Sequence, residues 1–271
     1  MINLRFPAGW AALLSFAIAL PLHGQVAIMD SNDVTIDDLI TKARARLGEE
    51  SALRSVDALR FIGRMETPGT ESQAGGEDGD AEPIEIVLDF KRPNLQRMVR
   101  KVGNERRVTV LDGSEGFIYS RDEETGRTLL HVMPSEQVQF FLNNSRENLN
   151  FFLGPKTVPG GEIKLIAETI RRGVPVYRIR FEYPSGNQYD RFYDRETMEL
   201  LSTQLNPSDN ELIQKGEQVF SGIRFPKRLE TYSADGHLTQ TFYFDEVIVN
   251  PEFPEDHFTL PEQEIFGYGQ E

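Results

Sequence analysis

The stretch GVPVYRIRFEYPSGN, residues 173–187, decides the fold. Tyr177, Ile179, Phe181 and Tyr183 alternate with Arg178, Arg180 and Glu182, the period of two that marks a strand with one buried face. Arg172-Gly173 precedes this run and Gly186-Asn187 closes it, and both pairs suit tight hairpin turns. The same rhythm extends outward from Ile163 to Val249. Asp235-Gly236 supplies a further turn, and Leu238, Phe242, Phe244 and Ile248 alternate near the end, interrupted by Gln240 and Glu246. A long antiparallel meander has one face to cover, so its cover governs what the protein can do.

Upstream, the pattern is mixed. Thr35 to Leu47 carries Ile36, Leu39, Ile40, Ala43 and Leu47 at helical spacing, with Thr35 and Asp37-Asp38 favouring the start and Gly48 the stop. A second short helix is expected over Glu49 to Val56. Alternation begins at Leu59, Phe61, Gly63 and Met65, and resumes at Ile84, Ile86, Leu88 and Phe90. Between them, 68–83 is rich in Gly, Glu and Asp and is expected to be a disordered hairpin tip. The spacing of a calcium loop is absent there. Leu95 to Val102 and Arg106 to Leu111 pair across Gly103-Asn104, and strands are expected at Phe117 to Tyr119 and Thr128 to Met133. Pro134-Ser135-Glu136 opens a helical segment with Val138, Phe141, Leu142, Ser145, Leu149 and Phe152 on one side. Phe140 and Phe151 lie off that side, so the apolar arc is unusually wide. Gly154-Pro155 and Pro159-Gly160-Gly161 follow, so the segment reads either as a static core helix or as a hinged lid.

The N-terminus reads as an export signal over residues 1–24: Arg5, an apolar run from Trp10 to Leu20, and a cleavage region at Leu22-His23-Gly24. Residues 25–34 are a lead-in, 35–262 a single domain, and 263–271 a tail. The formal net charge is −14, and removal of the signal with Arg5 would make it −15. Such acidity repels nucleic acid and anionic headgroups. The chain has no cysteine, which excludes disulfides, thiolate metal sites and an N-terminal lipidated cysteine. The product is therefore expected to be periplasmic, soluble and not lipidated.

Catalytic chemistry is not visible. His23, His131, His237 and His257 are scattered, and no two stand at metal-ligand spacing. Gly113-Ser114-Glu115-Gly116 lacks the glycine–any–serine–any–glycine order of a nucleophile elbow. No phosphate-cradling or dinucleotide glycine loop is present, and with 43 acidic residues any chosen carboxylate pair is arbitrary. No enzyme, cofactor or metal is expected.

The order of segments resembles a known family. ARLGEESALRSVDALRFIGRM, FKRPNLQRMVRKV, VLDGSEGFIY, GVPVYRIRFEY, YDRETMELLSTQL, GIRFPKRLETY and FDEVIVNPEFPEDHFTLP together look like the outer-membrane lipoprotein-sorting proteins, the periplasmic carriers of the Lol type. The likeness covers about residues 35 to 262, although the acidic insertion is not part of the usual pattern. It implies an α+β fold: a large curved antiparallel sheet of about ten or eleven strands, an open half-barrel whose concave face is covered by helices. It also implies a non-enzymatic carrier of lipid or lipoprotein acyl chains. The residues expected at the lipid cavity are Leu88, Phe90, Ile179, Phe181, Phe242 and Phe244 on the wall, with Phe141, Leu142, Leu149 and Phe152 on the cover. Expected partners are an acyl chain and membrane proteins of the envelope, with no nucleic acid, for a monomer. The alternative is an envelope protein-binding or sensing module that uses the same sheet without a lipid cargo.

Overall fold

The computed structural model describes residues 34–68 and 83–260. The expected signal, nearly all of the lead-in and the acidic insertion, and the tail lie outside the described residues.

Helix α1 (Ile36–Leu47) begins where Thr35 Oγ1 accepts a hydrogen bond from the Asp38 amide at 3.2 Å. Asp37 and Asp38 occupy its first turn and Arg44 and Arg46 its last, in line with the helix dipole. Leu39, Ile40 and Ala43 are buried on one face. The short α2 (Glu50–Arg54) follows and buries Leu53.

Six strands come next: β1 (Ala58–Glu66), β2 (Ile84–Lys91), β3 (Leu95–Val102), β4 (Glu105–Asp112), β5 (Glu115–Asp122) and β6 (Thr128–Val132). Helix α3 (Ser135–Asn150) leads to seven more: β7 (Glu162–Arg171), β8 (Val174–Glu182), β9 (Gln188–Asp194), β10 (Leu200–Asn206), β11 (Asn210–Phe220), β12 (Ile223–Tyr232) and β13 (Leu238–Val249). They form one sheet in the order β6-β5-β4-β3-β2-β1-β13-β12-β11-β10-β9-β8-β7. Every neighbouring pair is antiparallel. Two meanders thus join at β1 and β13, and the free edges are β6 and β7.

Thirteen strands exceed the ten or eleven expected from the sequence. A strand buried on both faces lacks the alternation that would reveal it. Strand β9 is an example: Tyr189, Asp190, Arg191, Phe192 and Tyr193 are all buried.

The sheet is bent into a trough, and α3 measures the bend. Ser145 Oγ donates to the Leu95 carbonyl of β3 at 3.3 Å, while Glu147 meets Arg191 of β9 at 2.6 Å. Strands β3 and β9 are seven positions apart in the sheet order. On a flat sheet that is about 34 Å, yet residues 145 and 147 sit within about 10 Å of each other on one helix. Both walls therefore rise to meet α3, and the helices cover the concave face as expected.

The opposite face carries a second packed element. Leu59 and Phe61 of β1 are buried on the helix side, so Arg60 points away. Arg60 donates through Nε and one Nη to the two oxygens of Asp89, at 2.7 and 3.0 Å. The segment after β13 closes over this pair: His257 Nε2 lies 2.7 Å from Asp89, the Phe253 ring stacks on His257 at 4.6 Å, and Phe258 is buried. Burial alone would raise the pKa of Asp89, but hydrogen bonds from His257 and Arg60 outweigh it and hold the carboxyl below its ordinary value. A depressed folded pKa stabilises fully above the unfolded value of about 3.9 and is lost as pH falls through the folded value. Stability should therefore drop on acidification below about pH 4. The substitution Asp89→Asn should remove that part of the profile and cost about 2–4 kcal/mol at pH 7, by leaving Arg60 without its partner. Urea midpoints equal to wild type at both pH values would contradict this.

Candidate functional site

Helix α3 lies in the trough as a crossbar, and polar side chains fasten it on both flanks. Toward β3, Asn144 Nδ2 reaches Gln96 at 3.3 Å and Ser145 reaches Leu95. Toward the turn between β8 and β9, Asn143 Nδ2 donates to Ser185 Oγ and Asn187 Oδ1, both at 2.9 Å. The deepest contact is the Glu147–Arg191 pair, with both side chains about nine-tenths buried. Among the described residues, Nε and Nη1 of Arg191 have no hydrogen-bond partner. The guanidinium instead lies over the rings of Phe181 at 4.3 Å and Phe152 at 5.2 Å. The Tyr183 hydroxyl donates to the other Glu147 oxygen. Burial pushes the Tyr183 pKa up, and the neighbouring carboxylate pushes it further, so the hydroxyl remains a donor.

The C-terminal end of α3 has no basic residue in its last turn. Its open carbonyls are met from outside the helix. Arg44 of α1 donates to the carbonyls of Asn150 at 2.7 Å and Phe151 at 2.6 Å, and Arg92 donates to that of Leu149 at 2.7 Å. Phe151 and Phe152 then take left-handed backbone angles, φ 44° and 71°. That strained turn sends the two rings into different apolar clusters.

The ten residues expected at the lipid cavity do lie on the helix or its facing walls, but in three clusters rather than one. Phe141 and Leu142 pack with Leu111, Met133 and Val138. Leu149 and Phe90 pack with Leu59, Phe61 and Phe225, and Leu88 and Phe244 border them. Phe152, Ile179 and Phe181 pack with Tyr193 and with Leu39 and Ile40 of α1. Phe242 stacks on Phe244 with ring centroids 4.5 Å apart. Seven of the ten are buried, while Leu88, Phe242 and Phe244 are half-buried.

Those three belong to a tract the sequence did not single out. Through the register, Phe61 shares its face with Leu88 and Met98, Met65 with Phe242, Phe242 with Leu229, and Leu212 with Thr231. Met98, Leu212 and Leu229 are also half-buried. The floor of the trough in its central strands therefore carries a partly covered apolar tract, interspersed with Thr109, Gln214, Thr231 and Gln240. Leu212 and Leu229 stand singly among polar neighbours, so only strand register could reveal them. A separate pocket of about 420 Å³ is polar, lined by Arg171, Arg172, Gln204, Asp209, Glu211 and Tyr232 among others, and Glu211 neutralises both arginines at 2.7 and 2.8 Å. Among the described residues, no three His, Cys, Asp or Glu side chains gather as a metal site.

No protein-family model matches the sequence, and no curated protein matches it. Solved structures do match. A LolA-superfamily protein of Nitrosomonas europaea is 9% identical over 84% of this chain and 99% of that one, with a TM-score of 0.53. A DUF1329 family protein of Desulfovibrio piger is 8% identical over 82% of this chain and 96% of that one, with a TM-score of 0.51. An outer membrane lipoprotein-sorting protein domain of Vibrio parahaemolyticus gives 8% identity, coverage of 82% and 95%, and a TM-score of 0.49. The fold is the LolA-type open half-barrel.

In this LolA-type sheet the polar fastening of α3 is the feature most open to test. The substitution Glu147→Ala should cost about 3–5 kcal/mol in urea unfolding, because it strands a buried guanidinium. Replacing both partners, as Glu147→Leu with Arg191→Met, should restore much of the loss. Gly154 sits against the same pair: a Cβ there would meet the Tyr183 hydroxyl and the Glu147 carboxylate, so Gly154→Ala should also destabilise. A double variant weaker than the sum of its singles would argue against the pairing.

Proposed function

We propose that this protein is a non-enzymatic carrier of lipid or lipoprotein acyl chains, working as a soluble monomer in the periplasm, with α3 as a cover that opens to admit the chain. The observation that carries the reading is the half-buried apolar floor of the central strands, with Leu88, Met98, Leu212, Leu229, Phe242 and Phe244 on the face that α3 roofs. Each methylene moved from water onto such a surface contributes about 0.8 kcal/mol, so about ten of them contribute about 8 kcal/mol before the entropy of association is subtracted. A LolA-type half-barrel with a partly covered apolar tract on its floor is suited to hold a linear hydrocarbon. The seven buried candidates, Phe90, Phe141, Leu142, Leu149, Phe152, Ile179 and Phe181, hold α3 down in the closed state and would line a larger cavity once it lifts. Among the described residues, no helix is long and apolar enough to cross a membrane.

The absence of cysteine in the sequence allows a clean test. Asn143 and Ser185 are hydrogen-bonded at 2.9 Å across the helix and the β8–β9 turn, so a paired Asn143→Cys and Ser185→Cys substitution joined by a short bifunctional thiol cross-linker ties the helix to the turn. A fluorescent fatty acid should bind the uncross-linked protein saturably and should lose most of that binding on cross-linking. Phe242→Glu should weaken it at least about tenfold by placing a charge on the floor. Saturable binding that ignores both changes, or no binding at all, would sink the carrier reading. Recovery of an envelope protein in place of acyl material would favour the sheet as a protein-binding module.

A further inference from the structure

A second site lies beside the C-terminal end of α3. A pocket of about 510 Å³ is lined by Arg92, Pro93, Asn94, Arg146, Asn150 and Thr157. Two arginines line it and no carboxylate does, in a chain whose formal net charge is −14. The volume suits a small ligand, and the fixed positive charge excludes a cation.

The two arginines play different parts. Arg92 is held in place: Nε donates to the Val56 carbonyl at 2.8 Å, and its Nη atoms to Asn150 Oδ1 at 2.8 Å and to the Leu149 carbonyl at 2.7 Å. Its carboxylate neighbour, Asp57, is 3.9 Å away, largely exposed and outside the lining. Arg92 is thus a positive charge that its surroundings satisfy by hydrogen bonds and leave largely uncancelled. Arg146 is freer. Among the described residues its one side-chain hydrogen bond runs from Nη1 to Asn143 Oδ1 at 3.1 Å. The rest of its planar fork can donate, and that fork matches two oxygens of a tetrahedral oxyanion. Asn94, from the turn before β3, also lines the pocket and carries an amide donor.

We propose that this pocket binds a phosphate group, with Arg146 as its donor fork and Arg92 as a fixed positive neighbour. The phosphate belongs either to a phospholipid headgroup or to a soluble phosphate compound. The site does not depend on the acyl chain seat and stands or falls separately from it.

The test uses the full chain and calorimetric titration with inorganic phosphate, against chloride at equal ionic strength. Saturable binding is expected, at least about tenfold weaker in Arg146→Gln and partly retained in Arg146→Lys. Asn94→Asp, which leaves both arginines in place and adds a carboxylate to the lining, should also weaken binding, and it serves if Arg146→Gln fails to fold. Co-sedimentation with phosphatidylglycerol vesicles, compared with the same variants, identifies the source. Retention that needs Arg146 assigns a headgroup; phosphate binding in solution without retention assigns a soluble compound. No saturable binding in either arm, or binding unaltered by Arg146→Gln and Asn94→Asp, overturns the proposal. A fatty-acid titration of the same wild-type sample reports on the carrier reading alone.

Discussion

Two contacts made by neighbouring residues of α3 set the shape of the whole molecule. Ser145 is bound to β3 and Glu147 to β9, on nearly opposite flanks of one helix. An α-helix is about 10 Å across with its side chains, so the walls it joins cannot stand further apart than that helix and two side chains permit. A sheet of thirteen strands, free at β6 and β7, would otherwise be limited only by its twist. Holding the crossbar between distant strands converts an open sheet into a trough, and the trough is what leaves an apolar floor under a roof.

The polarity of those fastenings matters as much as their position. An all-apolar helix–sheet interface could slide or tilt with little penalty, because dispersion contacts are not directional. The Glu147–Arg191 pair, the Asn143 amide and the carbonyls held by Arg44 and Arg92 each demand one geometry. A buried ion pair is weak as a source of net stability but strong as a determinant of arrangement. The position of α3 is thus specific, set by polar contacts and not by packing alone.

Much of the architecture could be read from residue order. Alternation at Tyr177 to Tyr183, the cap at Thr35, and the apolar stripe of α3 all describe elements that are wet on one side, where periodicity has physical meaning. Strand β9 escaped that logic, since both of its faces are buried and polar Asp190 and Arg191 are buried in its middle. The wide apolar arc of α3, with Phe140 and Phe151 off the stripe, now has a cause: the helix meets both walls and the floor. The candidate seat was only partly legible. Leu88, Phe242 and Phe244 were identified from alternation, but Met98, Leu212 and Leu229 join them through pairing partners far away in sequence. The polar fastenings were not visible at all, because nothing in a lone Glu147 or Arg191 announces a partner 44 residues away (191 − 147).

The meeting of the first and last strands at the centre of the sheet bears on how the molecule is assembled. Leu59 lies opposite Val249, 190 residues later (249 − 59). Until the final strand has been delivered, the first meander keeps a bare seam along β1 and the second has nothing to dock against. Closing so long a loop is entropically unfavourable and slows folding. Strand β13 is therefore the keystone, and the two halves must be kept from pairing with strangers until it arrives.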